Sequence, residues 1–168
     1  MQASFGKFDG NLGLRPARDQ DAGFLENLYR TARPDLRLLD AEQDFIEELI
    51  LMQHQAQIDG YGEQFPDAWH YIVELMGERI GRLILDFSGN QVLIVDLSFI
   101  PEARGHGYGS KILKGLQAAA AQVKAPLVLS VSPMNPGAKQ LYLRLGFQVV
   151  EAHPALERLA WFPPDQAD

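Results

Sequence analysis

Apolar positions along this chain repeat first with helical spacing, then with the alternation of strands, then with both in turn. Residues 1–11 hold Gly6, Gly10 and few large side chains, which predicts a flexible arm leading into a short strand at 12–16. Phe24, Leu25, Leu28 and Tyr29 recur at helical spacing until Arg33-Pro34, predicting a helix over 19–32, because proline disfavours the helical conformation in the residue before it. A second helix is predicted from Asp40, with Phe45, Ile46, Leu49 and Ile50 on one face, fading before Gly60. Residues 59–67 are rich in turn formers and aromatics, as suits a connecting loop or a lid over a substrate.

From His70 the period is that of strands: 70–76, 79–87 and 91–100, separated by turns at Gly77-Glu78 and Ser88-Gly89-Asn90, predict an antiparallel meander. The run from Val92 to Ile100 is apolar on both faces, which predicts a central strand covered by helices on each side, ended by Pro101. Ile112, Leu113, Leu116, Ala119, Ala120 and Val123 then mark a helix, followed by a strand at 127–131. Asn135-Pro136 supplies a cap and a first-turn proline for a further helix, and Gly146 closes it where a left-handed residue is needed. Strands near 147–152 and 156–162 complete the order βααβββαβαββ. This is an α/β (α+β) chain with a mixed, mostly antiparallel sheet and helices on both faces: one domain over 12–162 and a frayed tail at 163–168.

Composition narrows the chemistry. At 168 residues, 46% hydrophobic and 22% charged, the chain has the size and balance of one globular domain. Cysteine is absent, which removes disulfides, thiolate metal ligands and a cysteine nucleophile, and His70 and His153 stand alone, so no metal is expected. A net charge of -7 with scattered Lys and Arg argues against nucleic acid and mildly favours cationic partners. No window is apolar enough for a membrane span and the first residues lack a signal-peptide run, so a cytoplasmic location is expected.

The apolar strand feeds Arg104-Gly105-His106-Gly107-Tyr108-Gly109-Ser110 and then a helix. A glycine loop at a helix N-terminus attracts anions, because the first-turn N–H groups lack intrahelical acceptors and glycines let a phosphate approach the main chain. A Walker A loop needs Gly-Lys-Ser/Thr, whereas Gly109-Ser110-Lys111 reverses the order, and alternating Gly105, Gly107 and Gly109 do not make G-x-G-x-x-G.

What fits is Arg-x-x-Gly-x-Gly inside Leu97-x-Phe99-x-Pro101-x-x-Arg104-Gly105-x-Gly107-Tyr108-Gly109-x-x-Ile112-Leu113. Downstream stands Asn135-x-x-Ala138-x-x-Leu141-Tyr142-x-x-x-Gly146-Phe147. Together these closely resemble the two signatures of the GNAT superfamily of acetyltransferases, and the element order is the family's. The resemblance runs from Leu12 onward, although the first third, which would hold the acceptor, matches only in layout.

The resemblance implies an N-acetyltransferase that moves an acetyl group from acetyl-coenzyme A to a primary amine, of a small molecule or a protein, by direct attack in a ternary complex. The other class on this fold is an acyl-coenzyme A sensor or interaction domain without turnover. By the resemblance, main-chain amides from Arg104 through Gly105, His106, Gly107, Tyr108 and Gly109 to the helix start at Ser110 hold the pyrophosphate. The backbone of Leu97 and Phe99 pairs with the pantetheine arm, and Asn135 sits beside the coenzyme tail. Tyr142 is the general acid for the departing thiolate and the Leu97 N–H the oxyanion donor.

For the general base, Asp96 and Glu74 are the carboxylates that strand alternation places near the cleft, with a water relay as the alternative. Alternation also sends the Asp96 side chain to the strand face away from Leu97. His106 reads as solvated filler in the loop, with a phosphate contact as the alternative, and His54 as a helix-surface residue, with the acceptor pocket as the alternative; Trp69, Tyr61 and Phe65 are candidates for that pocket, although sheet-edge packing explains Trp69 equally well. The apolar end of the last strand, Leu159-Ala160-Trp161-Phe162, suits an edge that pairs two copies into a homodimer.

Overall fold

In the computed structural model, which describes residues 7–8 and 11–164, one sheet holds eight strands in the order β1-β2-β3-β4-β5-β6-β8-β7. The strands are β1 (Lys7–Phe8), β2 (Leu12–Pro16), β3 (Trp69–Leu75), β4 (Glu78–Gly89), β5 (Gln91–Phe99), β6 (Leu127–Val131), β7 (Gln148–Ala152) and β8 (Glu157–Trp161). All neighbours pair antiparallel except β5 and β6. The helices are α1 (Ala22–Ala32), α2 (Pro34–Arg37), α3 (Gln43–Gln64), α4 (Tyr108–Gln122) and α5 (Pro136–Arg144). No described helix is long and apolar enough to cross a membrane.

Strand alternation gives the sheet two different faces. Tyr71, Val73, Leu83, Leu85, Leu127 and Leu129 point to the face that Ile112, Leu113 and Leu116 of α4 cover, making the main core. The other face lies under α1 and α3, which with α2 form a smaller core of Tyr29, Leu36, Ile46 and Ile50. Arg82 belongs to this second face, where it meets Gln57 and Tyr61 of α3.

Four expectations need correction. Within the span read as a flexible arm, Lys7–Phe8 pair with Gly13 and Leu12, and the Phe8 ring packs so closely on Gly115 of α4 that a side chain there would overlap it; the rest of 1–11 lies outside the described residues except Asn11. The second helix does not fade before Gly60 but continues through Gly60 and Gly62 to Gln64, so most of the expected loop is helical. Each mid-helix glycine costs roughly 1 kcal/mol against alanine, and the packing of His54, Gln57, Ile58 and Tyr61 toward the sheet side offsets it. A short helix α2, begun by Pro34, separates the two predicted ones. The last strand is not an edge: β8 lies between β6 and β7, so the edge at that end is β7, whose five residues are all exposed.

The turn between β2 and α1 is fixed by a buried carboxylate. Asp21 is 1% exposed and takes two 2.8 Å bonds from the Arg15 guanidinium, one of 2.8 Å from the Arg18 N–H and one of 3.3 Å from Arg79. Those donors, Arg15 foremost, hold its carboxyl well below the usual carboxylate range. Because the folded value is depressed, the stabilisation is fully present above the unfolded value of about 3.9 and is lost as pH falls through the folded one. Urea unfolding between pH 6 and pH 3 is therefore expected to show falling stability, and Asp21→Asn to show a shallower fall; an unchanged slope would assign the acid sensitivity elsewhere.

Candidate active site

The parallel pair β5 and β6 holds together only at its start. Val92, Leu93 and Ile94 pair with Leu127, Val128 and Leu129, after which the two strands part while β5 continues to Phe99. On its other edge β5 stays bound to β4, with a bulge: Asp96 faces Ile84 but Ile94 faces Leu85, leaving Val95 as the extra residue. The Ile100 N–H bonds the Ile80 carbonyl at 2.9 Å. By the alternation of antiparallel ladders, Ser98 and Asp96 also turn their backbone groups toward β4, and those of Leu97 and Phe99 face the gap. The gap thus presents the backbone of Leu97 and Phe99 with no strand partner on this side among the described residues. The Phe99 carbonyl is met there by the Arg104 Nε at 3.1 Å.

At the end of β5, Pro101–Ala103 form a 3-10 turn and the chain enters the glycine loop. Gly105 and Gly107 have φ of +78° and +82°, a left-handed conformation that other residues adopt only under strain. A Cβ at either would meet nothing within 4 Å, so the space beside the main chain is open. The first α4 bond runs from the Lys111 N–H to the Gly107 carbonyl, which leaves the N–H groups of Tyr108, Gly109 and Ser110 without intrahelical acceptors. Residues Gly105 to Ser110 therefore fit a pyrophosphate. Arg104 is the exception, since its N–H already bonds the Pro101 carbonyl at 3.2 Å. His106 is exposed, as a solvated loop residue would be, and its ring stacks on Tyr108 with centroids 5.6 Å apart.

Helix α5 sets the third element. Asn135 caps it by accepting the Ala138 N–H at 3.2 Å, and at its end Gly146, with φ of +94°, lets the Phe147 N–H return to the Tyr142 carbonyl. These two locally encoded ends place half-buried Tyr142 beside the gap, in a cavity of about 110 Å³ shared with Asp96, Leu97, Leu129 and Ser130. Burial, and secondarily the charge of Asp96, push the Tyr142 hydroxyl above its ordinary pKa, which keeps it a proton donor.

Asp96 is in the site and Glu74 is not. Asp96 borders the cavity beside Tyr142 while its side chain leaves by the face opposite Leu97, as alternation requires: Leu97 packs on the α4-side core, and the Asp96 carboxylate meets Arg82 on the face under α1 and α3. Its Oδ2 accepts Arg82 Nε at 2.9 Å and the Ser98 hydroxyl at 2.9 Å. Glu74 sits near the end of β3 opposite Gly13 and Arg79, where Arg15 holds it at 3.0 Å within the Asp21 cluster.

Beyond Asp96, under α1 and α3, lies a second cavity of about 250 Å³ lined by Leu25, His54, Ile58, Tyr61, His70 and Arg82. Asp96 and Arg82 join the two, because the Asp96 charge acts on both Tyr142 and Tyr61 and Arg82 lines the second cavity while bonding Asp96. Of the two readings of His54, the structure excludes the helix-surface one: it lines this cavity, is 8% exposed, and its Nδ1 has no hydrogen-bond partner among the described residues. Of the aromatic candidates only Tyr61 lines this cavity, whereas Trp69 packs on Phe87 with ring centroids 4.9 Å apart. Arg82 is a site residue that the sequence reading missed; its signal was a lone charge in the apolar run Ile80-Gly81-Arg82-Leu83-Ile84.

A family model described as an acetyltransferase (GNAT) domain matches residues 66–149, half of the chain, from the start of the meander to the end of the second signature. The thialysine N-epsilon-acetyltransferase of Mus musculus is 27% identical over 149 residues, spanning 80% of this chain and 83% of its own length. Among solved structures, the PaiA N-acetyltransferase of Thermoplasma acidophilum in complex with coenzyme A superposes with a TM-score of 0.66 at 15% identity, covering 90% of this chain and 98% of that one. An acetyltransferase of Thermus thermophilus gives 0.64 at 21% identity, covering 89% and 96%. The family match falls on the strand, glycine loop and helix that form the parted site, and the shared fold extends over the rest, so this chain belongs to the GNAT acetyltransferase family.

Proposed function

We propose that the protein is an acetyl-coenzyme A-dependent N-acetyltransferase acting on a primary amine by direct attack in a ternary complex. The observation that carries this reading is the open edge of β5, which runs from the orphan N–H groups of the glycine loop past Phe99 and Leu97 to Tyr142. Acetyl-coenzyme A, when bound, supplies the thioester whose acetyl group is transferred. The residues Gly105 to Ser110 hold its pyrophosphate through the main chain, and Leu97 and Phe99 extend the sheet onto its pantetheine arm. The mouse relative is named an N-epsilon-acetyltransferase, and a solved relative holds coenzyme A, in keeping with this use of the gap.

The protein's groups then divide the chemistry among them. The Leu97 N–H faces the gap and stabilises the developing oxyanion. Tyr142, protonated at neutral pH, gives its proton to the leaving thiolate. Asp96 leaves Oδ1 outside the Arg82 and Ser98 contacts, and this oxygen takes the ammonium proton of the acceptor, directly or through water. The acceptor enters by the cavity under α1 and α3.

Binding is expected before any acceptor is present, because the loop and the strand edge are already formed. Acetyl-coenzyme A at about a hundred times its dissociation constant should stabilise the fold by roughly 2.7 kcal/mol. An unmoved melting curve together with no heat of binding in calorimetry would remove the coenzyme from the account.

A further inference from the structure

The cavity under α1 and α3 has a length and a charge pattern that restrict what can fill it. Tyr61 lies at the end near Asp96, while His54 stands seven residues earlier on the same helix face, two turns or about 10 Å along the axis. Between them the wall is Ala22, Leu25 and Ile58. Of its charges, buried Arg82 bonds Asp96 at 2.8 Å, while Arg18 and Asp19 lie exposed to solvent. Desolvation, then Arg82, lowers the pKa of both His54 and His70 and keeps them neutral, and Glu26, which faces His54 from α1, is bonded to Arg30 at 3.4 Å. A second charge on the ligand placed in the buried part between Tyr61 and His54, away from solvent-exposed Arg18 and Asp19, would therefore lie among neutral or already paired groups, a costly arrangement.

His54 supplies the remaining constraint. Its ring packs on Tyr29 with centroids 5.1 Å apart, yet its buried Nδ1 has no partner among the described residues. Native structures rarely leave such an atom unsatisfied without a use for it. A hydroxyl on a ligand satisfies either tautomer, donating to a bare Nδ1 or accepting from a protonated one.

Resting on the acetyltransferase reading for the amine end, we propose that this cavity selects a primary monoamine with an uncharged, mainly apolar body about 10 Å long, ending in one hydrogen-bonding group held by His54. The amine end lies toward Asp96 and Tyr142 and the polar tip toward the His54 imidazole.

Tyramine, phenethylamine and spermidine serve as probes, titrated by calorimetry into the protein saturated with coenzyme A, so that binding is read without turnover. Tyramine is expected to bind about tenfold more tightly than phenethylamine, the worth of one buried hydrogen bond, and spermidine to bind more weakly than either. In His54→Leu the tyramine advantage should vanish with phenethylamine within about twofold of the parent, and His54→Gln, which keeps a polar group, should restore part of it. Melting curves establish that both variants are folded. Tighter binding of spermidine, equal affinities for the two aromatic amines in the parent, or a His54→Leu loss shared equally by both would overturn the proposal. The same affinities with no release of thiol from acetyl-coenzyme A would sustain the selectivity of the cavity and remove the enzyme reading instead; no binding of either aromatic amine would overturn the selectivity even if other amines are acetylated.

Discussion

Tyr142→Phe is expected to lower kcat about a hundredfold while acetyl-coenzyme A affinity stays within about threefold of the parent. The substitution removes one hydroxyl and keeps the ring, which packs on Phe147 with centroids 5.8 Å apart, so α5 should hold its position. What disappears is a proton donor that matters mainly when the thiolate departs, and such an interaction acts on the rate and not on ground-state binding. Burial and the nearby Asp96 raise the hydroxyl's pKa, so the parent should show no loss of activity from tyrosine ionisation below about pH 10, the reference value for the phenol. Full turnover by the variant across the pH range would make Tyr142 a packing residue.

The glycine loop predicts an effect of similar size on binding. Gly107→Val should weaken acetyl-coenzyme A by about a hundredfold or more, since a side chain in the open space beside Gly107 displaces a phosphate oxygen from charge-assisted bonds worth roughly 1.5–3 kcal/mol each. The left-handed φ at Gly107 also strains any replacement, by roughly 1–2 kcal/mol, so stability and affinity must be separated. Gly77 supplies the control. It has φ of +83° against +82° at Gly107, and a Cβ there likewise meets nothing within 4 Å, but it lies in the turn between β3 and β4, away from the gap. The two valine variants should lose similar stability, and only Gly107→Val should lose coenzyme affinity. Equal affinity in both would withdraw the phosphate-binding role of the loop.

What the sequence made legible was what is encoded locally. The glycine loop, the Asn135 cap and the Gly146 stop each depend on residues within one or two turns, and all three appear in the structure where their spacing placed them. The Val95 bulge had no such signal: it arises where β5 must satisfy β4 on one edge and leave β6 on the other, and it puts Asp96 on the face opposite Ile94 while keeping it opposite Leu97. The course of α3 through Gly60 and Gly62 was hidden for a related reason, since the packing of His54, Ile58 and Tyr61 toward the sheet outweighs local glycine propensity. His54 and Glu74 show the same limit from opposite sides. Each is a titratable residue at an apparently suitable position, and only the tertiary neighbours decide that one faces a cavity while the other is held by Arg15.

Amine-dependent release of coenzyme A thiol tests the central claim most directly. The purified protein is mixed with acetyl-coenzyme A and each of a set of primary amines, and free thiol is followed together with the mass of the amine. Acetyl transfer at the parted strands predicts thiol release that requires an amine, matches the acetylated product mole for mole, and falls about a hundredfold with Tyr142→Phe. Tight binding of acetyl-coenzyme A without amine-dependent thiol release from any of them would contradict it, and would leave a coenzyme-binding protein built on the same gap.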